Sequence, residues 1–461
     1  MKDDMGISFS ERLAQFIEKI HYEDLPVEVI QMAKACFLDW LGCAYAARGE
    51  PAVESMAEVA RISKGKGHST VIPYGEKNSA PFSALVNGAA AHALEMDDVH
   101  RDSVLHPASV VISAVFASAE RERVSGKLLI ESIVTGYEIM IRAGEGVGRS
   151  HYWFWHNTST CGTFGATAGV GKMLGLTVDQ HVHALGNAGS QSAGLWEFLA
   201  DGANTKLLHT GKAAMNGILA ADLAKRNFTG ARRIFEGERG FYRATSKDYS
   251  LEKLIQGIDD RPVRYRILSN SFKPYPSCRH THSVIDAALE LVLKHHIDWQ
   301  DVEKVIDHTY SGAINLCGGV KLVNTYAAKW NIPFCVATAL KYRRVNLESF
   351  SESRLREKTL LDLAEKVQLV LNPELDALYP AQWPSRLEIY LKRGDKLSTT
   401  VYTPKGDPDN PISREESQTK FRGNANVSLH SDTVEALIES IDHLEDLKNV
   451  RTLLSKVALK G

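Results

Sequence analysis

The sequence predicts a mainly α protein with an α+β insertion, in which a large all-helical domain is formed by both chain ends and a smaller α/β domain lies between them. Three observations carry this. Apolar residues recur at three- and four-residue spacing through the first 260 residues, the pattern changes near residue 262 to short alternating runs, and helical spacing resumes at 431. At 461 residues the chain also exceeds what one hydrophobic core usually fills. The expected boundaries are 1–264 and 406–461 for the helical domain and 265–405 for the insertion.

The first helix is expected behind Ser8, which with Glu11 can form a capping box, and it carries Phe9, Leu13, Phe16, Ile17 and Ile20 on one face. Pro26 opens a second, striped by Val29, Met32, Ala33, Cys36, Phe37 and Trp40, with Gly42 where that helix should weaken. Ala- and Gly-rich segments follow at 81–94, 108–120, 159–175 and 211–225, and small residues at helical spacing let backbones approach closely, as in a compact bundle. Beyond residue 262, segments 282–295 and 329–342 are helical in pattern. Leu387, Ile389 and Leu391 alternate with Glu388, Tyr390 and Lys392 before Gly394-Asp395 and a second alternating run over 397–402, which predicts a hairpin within 385–403. TPKGDPDNP at 403–411 is dense in turn formers, and helical patterning returns over 431–456. There is no solenoid repeat and no low-complexity tract.

Fifty-four Lys plus Arg against fifty-six Asp plus Glu leave a formal charge of -2, so no global field favours nucleic acid or an anionic membrane. The start, MKDDMGISFSERLAQF, is acidic where a secretory signal is basic, and no stretch approaches the ~18 apolar residues of a membrane span; a cytoplasmic location is expected. Six scattered cysteines form no Cys-x-x-Cys pair, which points to reduced thiols and away from a structural zinc site. GEGVGR (144–149) lacks the last glycine of a dinucleotide fingerprint, and GVGKM (169–173) has Met173 where a phosphate loop needs Ser or Thr; helix packing explains both.

Ionisable residues crowd four distant segments. HALEMDDVHRDSVLHPAS (92–109) sets Glu95, Asp97, Asp98, His100, Asp102 and His106 after a small-residue helix. A solvated acidic loop would account for it; the functional reading is a carboxylate–His pair, with Asp97 or Asp98 orienting an imidazole for proton transfer. A hard-cation site is a third reading, disfavoured because His is a poor magnesium ligand and the carboxylates lack calcium-loop spacing. In YWFWHNTSTCGTFGA (152–166), His156 precedes a helix that Thr158 or Ser159 could cap, where backbone N–H groups attract anions; a buried aromatic wedge is the plainer explanation. Lys206, with His209 three residues on, opens an Ala-rich helix, as a solvated lysine also would. Lys273, Cys278, Arg279, His280 and His282 gather in a Pro-rich loop at the domain junction, a basic cluster suited either to a polycarboxylate or to a hinge. Cys278 is a further candidate nucleophile.

FLDWLGCAYA (37–46), ALEMDDVH…LHPAS, HNTSTCGTFGA, NTKLLHTGKAAMNG (204–217), KPYPSCRHTH, AAKWNIPF (327–334) and TPKGDPDNP, in this order and nearly end to end, resemble the MmgE/PrpD family. That family includes 2-methylcitrate dehydratase, cis-aconitate decarboxylase and iminodisuccinate epimerase. The resemblance implies a helical domain with a smaller lid domain inserted, a homodimer, and catalysis without metal or organic cofactor. By motif position the family's catalytic and binding groups fall on Asp97, Asp98, His106, His156, Lys206 and Lys273, with Glu95 and His282 expected to bind substrate; the basic loop adds Cys278, Arg279 and His280 as expected substrate-binding residues. The connector DDVHRDSVLHPAS is short, as in the decarboxylase and epimerase branches, while the decarboxylases carry a histidine near the position of Cys278. The expected function is a cofactor-independent lyase, of dehydratase or decarboxylase type, acting beside a carboxylate of a small di- or tricarboxylic acid. An epimerase of the iminodisuccinate type and a non-catalytic polycarboxylate-binding protein are the alternatives.

Overall fold

The computed structural model describes residues 7–63, 67–455 and 457–460; residues 1–6, on which the reading of the chain start partly rests, lie outside them. The chain divides into two compact units, Met1–Ser271 with Ser413–Gly461, and Phe272–Ile412. The larger is mainly helical, and no helix among the described residues is long and apolar enough to cross a membrane.

The first unit opens with α1 (Phe9–Glu18), where Ser8 Oγ accepts the Glu11 N–H at 3.1 Å and Leu13, Phe16 and Ile17 are buried. Then come α2 (Val27–Ala46), α3 (Pro51–Ile62), a short hairpin of β1 (Ser69–Val71) and β2 (Glu76–Asn78), and α4 (Ala80–His92). After α4 lies β3 (Val99–His100), followed by α5 (Pro107–Glu122), α6 (Gly126–Gly146), α7 (Asn157–Met173), α8 (Val178–Gly189) and α9 (Thr205–Lys225). β4 (Asn270–Ser271) pairs antiparallel with β3, Val99 opposite Ser271.

α7 is the central helix, packed against α5, α6, α8 and α9, and α4 packs on α5 and α9. Small residues make this possible: a Cβ on Gly88 of α4 would lie 2.9 Å from Gly211 Cα of α9, closer than real side chains come. GVGKM lies inside α7, where a Cβ on Gly169 would sit 2.7 Å from the Ser132 carbonyl, so helix packing accounts for that motif.

The second unit contains α10 (His282–Lys294), β5 (Val302–Thr309), α11 (Ile332–Tyr342), α12 (Lys358–Ala364), β6 (Val367–Leu371), β7 (Ser385–Leu391) and β8 (Lys396–Val401). Its sheet runs β6-β5-β7-β8, with β5 and β6 parallel and the other pairs antiparallel. The hairpin is present, in register from Ser385↔Val401 to Tyr390↔Lys396 around Gly394 at φ 94°. Ser385, Leu387, Ile389 and Leu391 face inward, and α10 packs on β7, β8 and α11. The helix expected over 329–342 starts at Ile332, because Asn331 caps it by accepting the Phe334 N–H at 2.7 Å.

The returning chain supplies α13 (Arg414–Ala425) and α14 (Ser431–Asp442) to the first unit. Helical pattern through 456 overshoots: among the described residues after Asp442 the backbone makes 3₁₀ turns and a bridge from Leu459 to Leu429 but no α-helix, because its polar groups bond elsewhere, as in Gly126 N–H to Leu447 O at 2.8 Å and Val450 N–H to Val124 O at 2.9 Å. The expectation that Gly42 weakens α2 is also corrected. The helix runs through it, and the missing side chain admits Phe421 of α13, whose Cδ2 would lie 2.9 Å from a Cβ there.

Candidate active site

Four helix ends of the first unit bring the ionisable side chains together. His92 ends α4, His106 and His156 are the N-cap residues of α5 and α7, and Lys206 and His209 lie in the first turns of α9. The Gly88–Gly211 crossing draws the end of α4 to the start of α9. Between α4 and β3 the chain reverses sharply, with Glu95 at φ 57°, a left-handed conformation that L residues adopt only when their surroundings hold them there.

The resulting distances are short. His92 Nδ1 donates to Asp97 Oδ2 at 2.7 Å, and both side chains are fully buried. The ring of His92 lies 4.8 Å from that of His106 and 6.0 Å from that of His156, centroid to centroid. His156 reaches His209, Nδ1 to Nδ1, at 3.2 Å and packs on Trp196 at 4.6 Å. Lys206, nearly buried, forms an ion pair with Glu95.

Hydrogen bonds fix the tautomers. His106 Nδ1 faces the Asp98 carbonyl at 2.7 Å, and a carbonyl only accepts, so Nδ1 carries the proton and Nε2 is the basic nitrogen. The Asp97 carboxylate does the same for His92, whose buried Nε2 has no hydrogen-bond partner among the described residues. Asp98 itself is a hub: Oδ1 accepts from Ala108 N–H at 3.0 Å, and Oδ2 from Tyr137 Oη–H and Asn270 Nδ2–H, each at 2.7 Å. Burial lifts its carboxyl to about 7 against the pull of the Tyr137 and Ala108 bonds. Beneath the cluster Lys420 of α13, with its side chain 7% exposed, pairs with Asp39 at 2.5 Å and donates to the Met96 carbonyl at 2.6 Å, bracing the residue before Asp97.

The expected caps are corrected: neither Thr158 nor Ser159 caps α7, because both lie inside its first turn and are used laterally. Thr158 Oγ1 accepts the His106 N–H at 3.1 Å, and Ser159 Oγ donates to the Ala193 carbonyl at 2.5 Å, with the His209 carbonyl beside it at 3.2 Å. His100 stays within its own loop, Nδ1 to Ser103 Oγ at 2.7 Å, and Asp102 pairs on the surface with Arg101.

The electrostatics favour neutral imidazoles until an anion arrives. Burial pushes His156 well below the usual range, helped by His92, Lys206, His209 and His106, and burial brings His209 to about 4, helped by Lys212, His92 and Lys206. A docked carboxylate would offset both. Beside this cluster a cavity of about 580 Å³ is lined by Trp155, Gly194, Glu197, Phe198, His209 and Lys212. Burial lowers the Lys212 pKa.

His92, Asp97 and His106 also place one donor atom each within 4.8 Å of one another, the sole such set among the described residues. These donors are turned on one another and on the Asp98 carbonyl, the geometry of acid–base groups oriented by a carboxylate.

In the second unit, Lys273 and Cys278 are buried. Arg279 donates to the carbonyls of Phe272 (3.3 Å) and Lys405 (2.9 Å) and to His282 Nδ1 (3.1 Å), so His282 Nε2 donates to Ser277 O at 3.3 Å. His280 Nδ1 meets Tyr310 Oη at 2.6 Å, its ring stacks on Trp383 at 4.4 Å, and burial brings it to about 4. Arg279 therefore staples the 272–279 loop to the TPKGDPDNP turn.

Sequence reasoning missed His92, Tyr137, Asn270, Lys212 and Lys420 and noted His209 only as a neighbour of Lys206. His92 was within sight, as the first residue of the 92–109 block, but it reads as the polar end of an alanine-rich helix.

The chain matches the MmgE/PrpD N-terminal domain over residues 11–254 and the MmgE/PrpD C-terminal domain over residues 275–446. It is similar to cis-aconitate decarboxylase of Homo sapiens, 29% identical over 98% of this chain and 95% of that protein. It is similar also to cis-aconitate decarboxylase of Aspergillus terreus (27%, covering 94% and 93%) and to that of Mus musculus (27%, covering 97% and 92%).

Proposed function

The chain belongs to the MmgE/PrpD family, and from that premise we propose that it is a lyase that removes carbon dioxide from a small tricarboxylic acid of the cis-aconitate type. One observation carries the reading: a buried His92–Asp97 pair lies against His106 and His156, with the Lys206 ammonium alongside, at the ends of four helices. The N-termini of α5, α7 and α9 add their partial positive charge, so this is a place for carboxylates.

In the proposed reaction the bond from carbon to one carboxylate breaks and its electron pair moves into the adjoining unsaturated acid, which a proton then quenches. Lys206 and the helix ends stabilise the charge as it spreads over a neighbouring carboxylate. His106 and the His92–Asp97 pair hold basic nitrogens oriented for proton transfer, and His156, kept neutral by burial and its cationic neighbours, becomes an acid once the substrate's charge raises its pKa. Asp98 acts by holding His106 in place, and Glu95 by holding Lys206. Lys273 is proposed as a further carboxylate counter-ion, with Cys278, Arg279, His280 and His282 keeping its loop in shape. None of these roles calls for a metal or an organic cofactor.

The test is to incubate chelator-treated protein with citrate-, aconitate- and succinate-like acids in D₂O, following carbon dioxide release and the NMR spectrum of the acid. Carbon dioxide release with one deuterium gained per product is expected. Deuterium exchange at an α-carbon of a dicarboxylate without carbon dioxide release would replace this reading with the epimerase one, and loss of water with the epimerase or decarboxylase signals absent would replace it with the dehydratase one.

A further inference from the structure

We propose that His209 is a proton-relay residue, linking the buried His156 to the cavity beside Lys212 and resupplying the proton that each turnover consumes. The proposal rests on the decarboxylase reading, because the stoichiometry comes from it. When a carboxylate leaves as carbon dioxide, the electron pair of the broken bond takes up one proton, and no other product returns it. Dehydration and epimerisation balance their protons internally, whereas a decarboxylase must draw one from solvent every cycle.

The imidazole that delivers the proton is closed off, His156 being 2% exposed and the neighbouring His92–Asp97 pair 0% exposed, while His106, 15% exposed at its side chain, lies against His92. Of the cluster's imidazoles His209 alone lines the cavity of about 580 Å³. Its Nδ1 lies 3.2 Å from His156 Nδ1, so one ring carries hydrogen there and the other offers a lone pair. Its Nε2 makes no hydrogen bond among the described residues. A proton binding at His209 Nε2 makes the imidazolium, the Nδ1 proton passes to His156 Nδ1, and His156 gives its Nε2 proton to the carbanion. One proton enters, one carbon–hydrogen bond forms, and the rings return by tautomer exchange.

The contact is built into the fold. The His156 N–H is held by the Gly194 carbonyl at 2.8 Å, and Ser159 Oγ donates to the Ala193 carbonyl at 2.5 Å with the His209 carbonyl beside it at 3.2 Å. Gly194 has room for nothing larger: a Cβ would stand 2.7 Å from Ser159 Cβ and 3.4 Å from His209 Cγ. Trp196 packs on His156 and Phe198 on His209, the latter at 5.5 Å. The charged and titratable groups around His209 are His156, His92, Lys206 and Lys212, with Glu197 lining the same cavity. Burial first, then Lys212, His92 and Lys206, keep His209 neutral at pH 7, so its imidazolium forms only in passing and gives its proton up readily.

His209→Asn keeps a short polar side chain but cannot shuttle. It should lower kcat by ~100-fold with KM little changed, the usual weight of a proton-transfer group, and imidazole added to the buffer should restore part of the rate. Circular dichroism and the thermal midpoint should match the wild type. Unchanged kcat, or a loss that imidazole leaves untouched in a folded variant, would overturn the relay. If the Asn variant does not fold, Lys212→Gln decides: removing that cation should move the acid limb of the kcat–pH profile upward, and an unmoved limb would overturn the proposal. Wild-type protein that releases no carbon dioxide from any tricarboxylate would remove the decarboxylase reading and the relay together, whereas an active wild type with an indifferent His209 removes the relay alone.

Discussion

Asp97 Oδ2 holds the Nδ1–H of His92 at 2.7 Å with both side chains fully buried, which makes Nε2 of His92 the basic nitrogen and directs it away from the carboxylate. Replacing Asp97 with Asn puts an amide there that can present its N–H₂ to the ring and so reverse the tautomer. Asp97→Asn should therefore lower kcat by ~100-fold or more while the fold persists, in line with the usual contribution of an oriented base. Steady-state kinetics beside circular dichroism checks it, and a folded variant with wild-type kcat would take the pair out of the mechanism.

Lys420 is the support under that pair. Its ammonium lies between Asp39 and the Met96 carbonyl, and Asp39 is 4% exposed. Lys420→Met leaves the Asp39 carboxylate in the interior without this cation, a change that costs ~3–5 kcal/mol when one partner of a buried pair is removed. Urea unfolding should show a loss of that order at pH 7, and the double variant Lys420→Met/Asp39→Leu should recover much of it. No recovery would mean that the ion pair is not the source of the loss.

What the sequence made legible was local. The hairpin over 385–403 shows because alternation and a Gly-Asp turn are neighbours in the chain, and His106 and His156 stand out because Pro107 and the hydroxyl run after His156 mark helix starts. α13 escaped because its apolar stripe is thin, with only Phe421 and Ala425 buried among its apolar residues, although Ser413 and Glu416 form a capping box that was there to read. Tyr137 and Asn270 reach Asp98 from 39 and 172 residues away, and a contact of that range leaves no trace in spacing. The acidic pair was visible as a pair; that one member orients an imidazole while the other anchors a loop follows only from where the donors are.

The Gly88–Gly211 crossing joins fold to site. A methyl group on Gly88 would press on Gly211 Cα and on the Ser109 carbonyl, each at 2.9 Å, and backbone atoms cannot turn aside as a side chain does. Gly88→Ala should destabilise the protein by ~1–3 kcal/mol, the range for overpacked cores, and it should lower kcat/KM by moving His92 away from the start of α9. Gly49→Ala tests the other case, a glycine with open space around it but at φ 85°; its stability should suffer from backbone strain while kcat/KM stays at the wild-type value. Equal kinetic losses in the two would argue that global instability, rather than helix spacing, sets activity.

Asp307 gives a pH signature independent of catalysis. Burial raises its carboxyl to about 7 even though Ser385 Oγ donates to Oδ1 at 2.6 Å, and Oδ2 has no partner among the described residues. In the unfolded chain an aspartate titrates near ~3.9. Between that pH and about 7 the folded protein therefore binds the extra proton, so this residue's contribution to stability falls as pH rises through the window and is level above it. Asp307→Asn removes the titration, so the stability of the variant relative to wild type should rise between pH 4 and pH 7 by an amount on the order of a few kcal/mol, then hold constant. Unfolding free energies of both proteins measured across that range decide the matter: parallel curves would mean that Asp307 titrates alike in the folded and unfolded chains, and the opposite slope would mean that its carboxylate is stabilised by its surroundings.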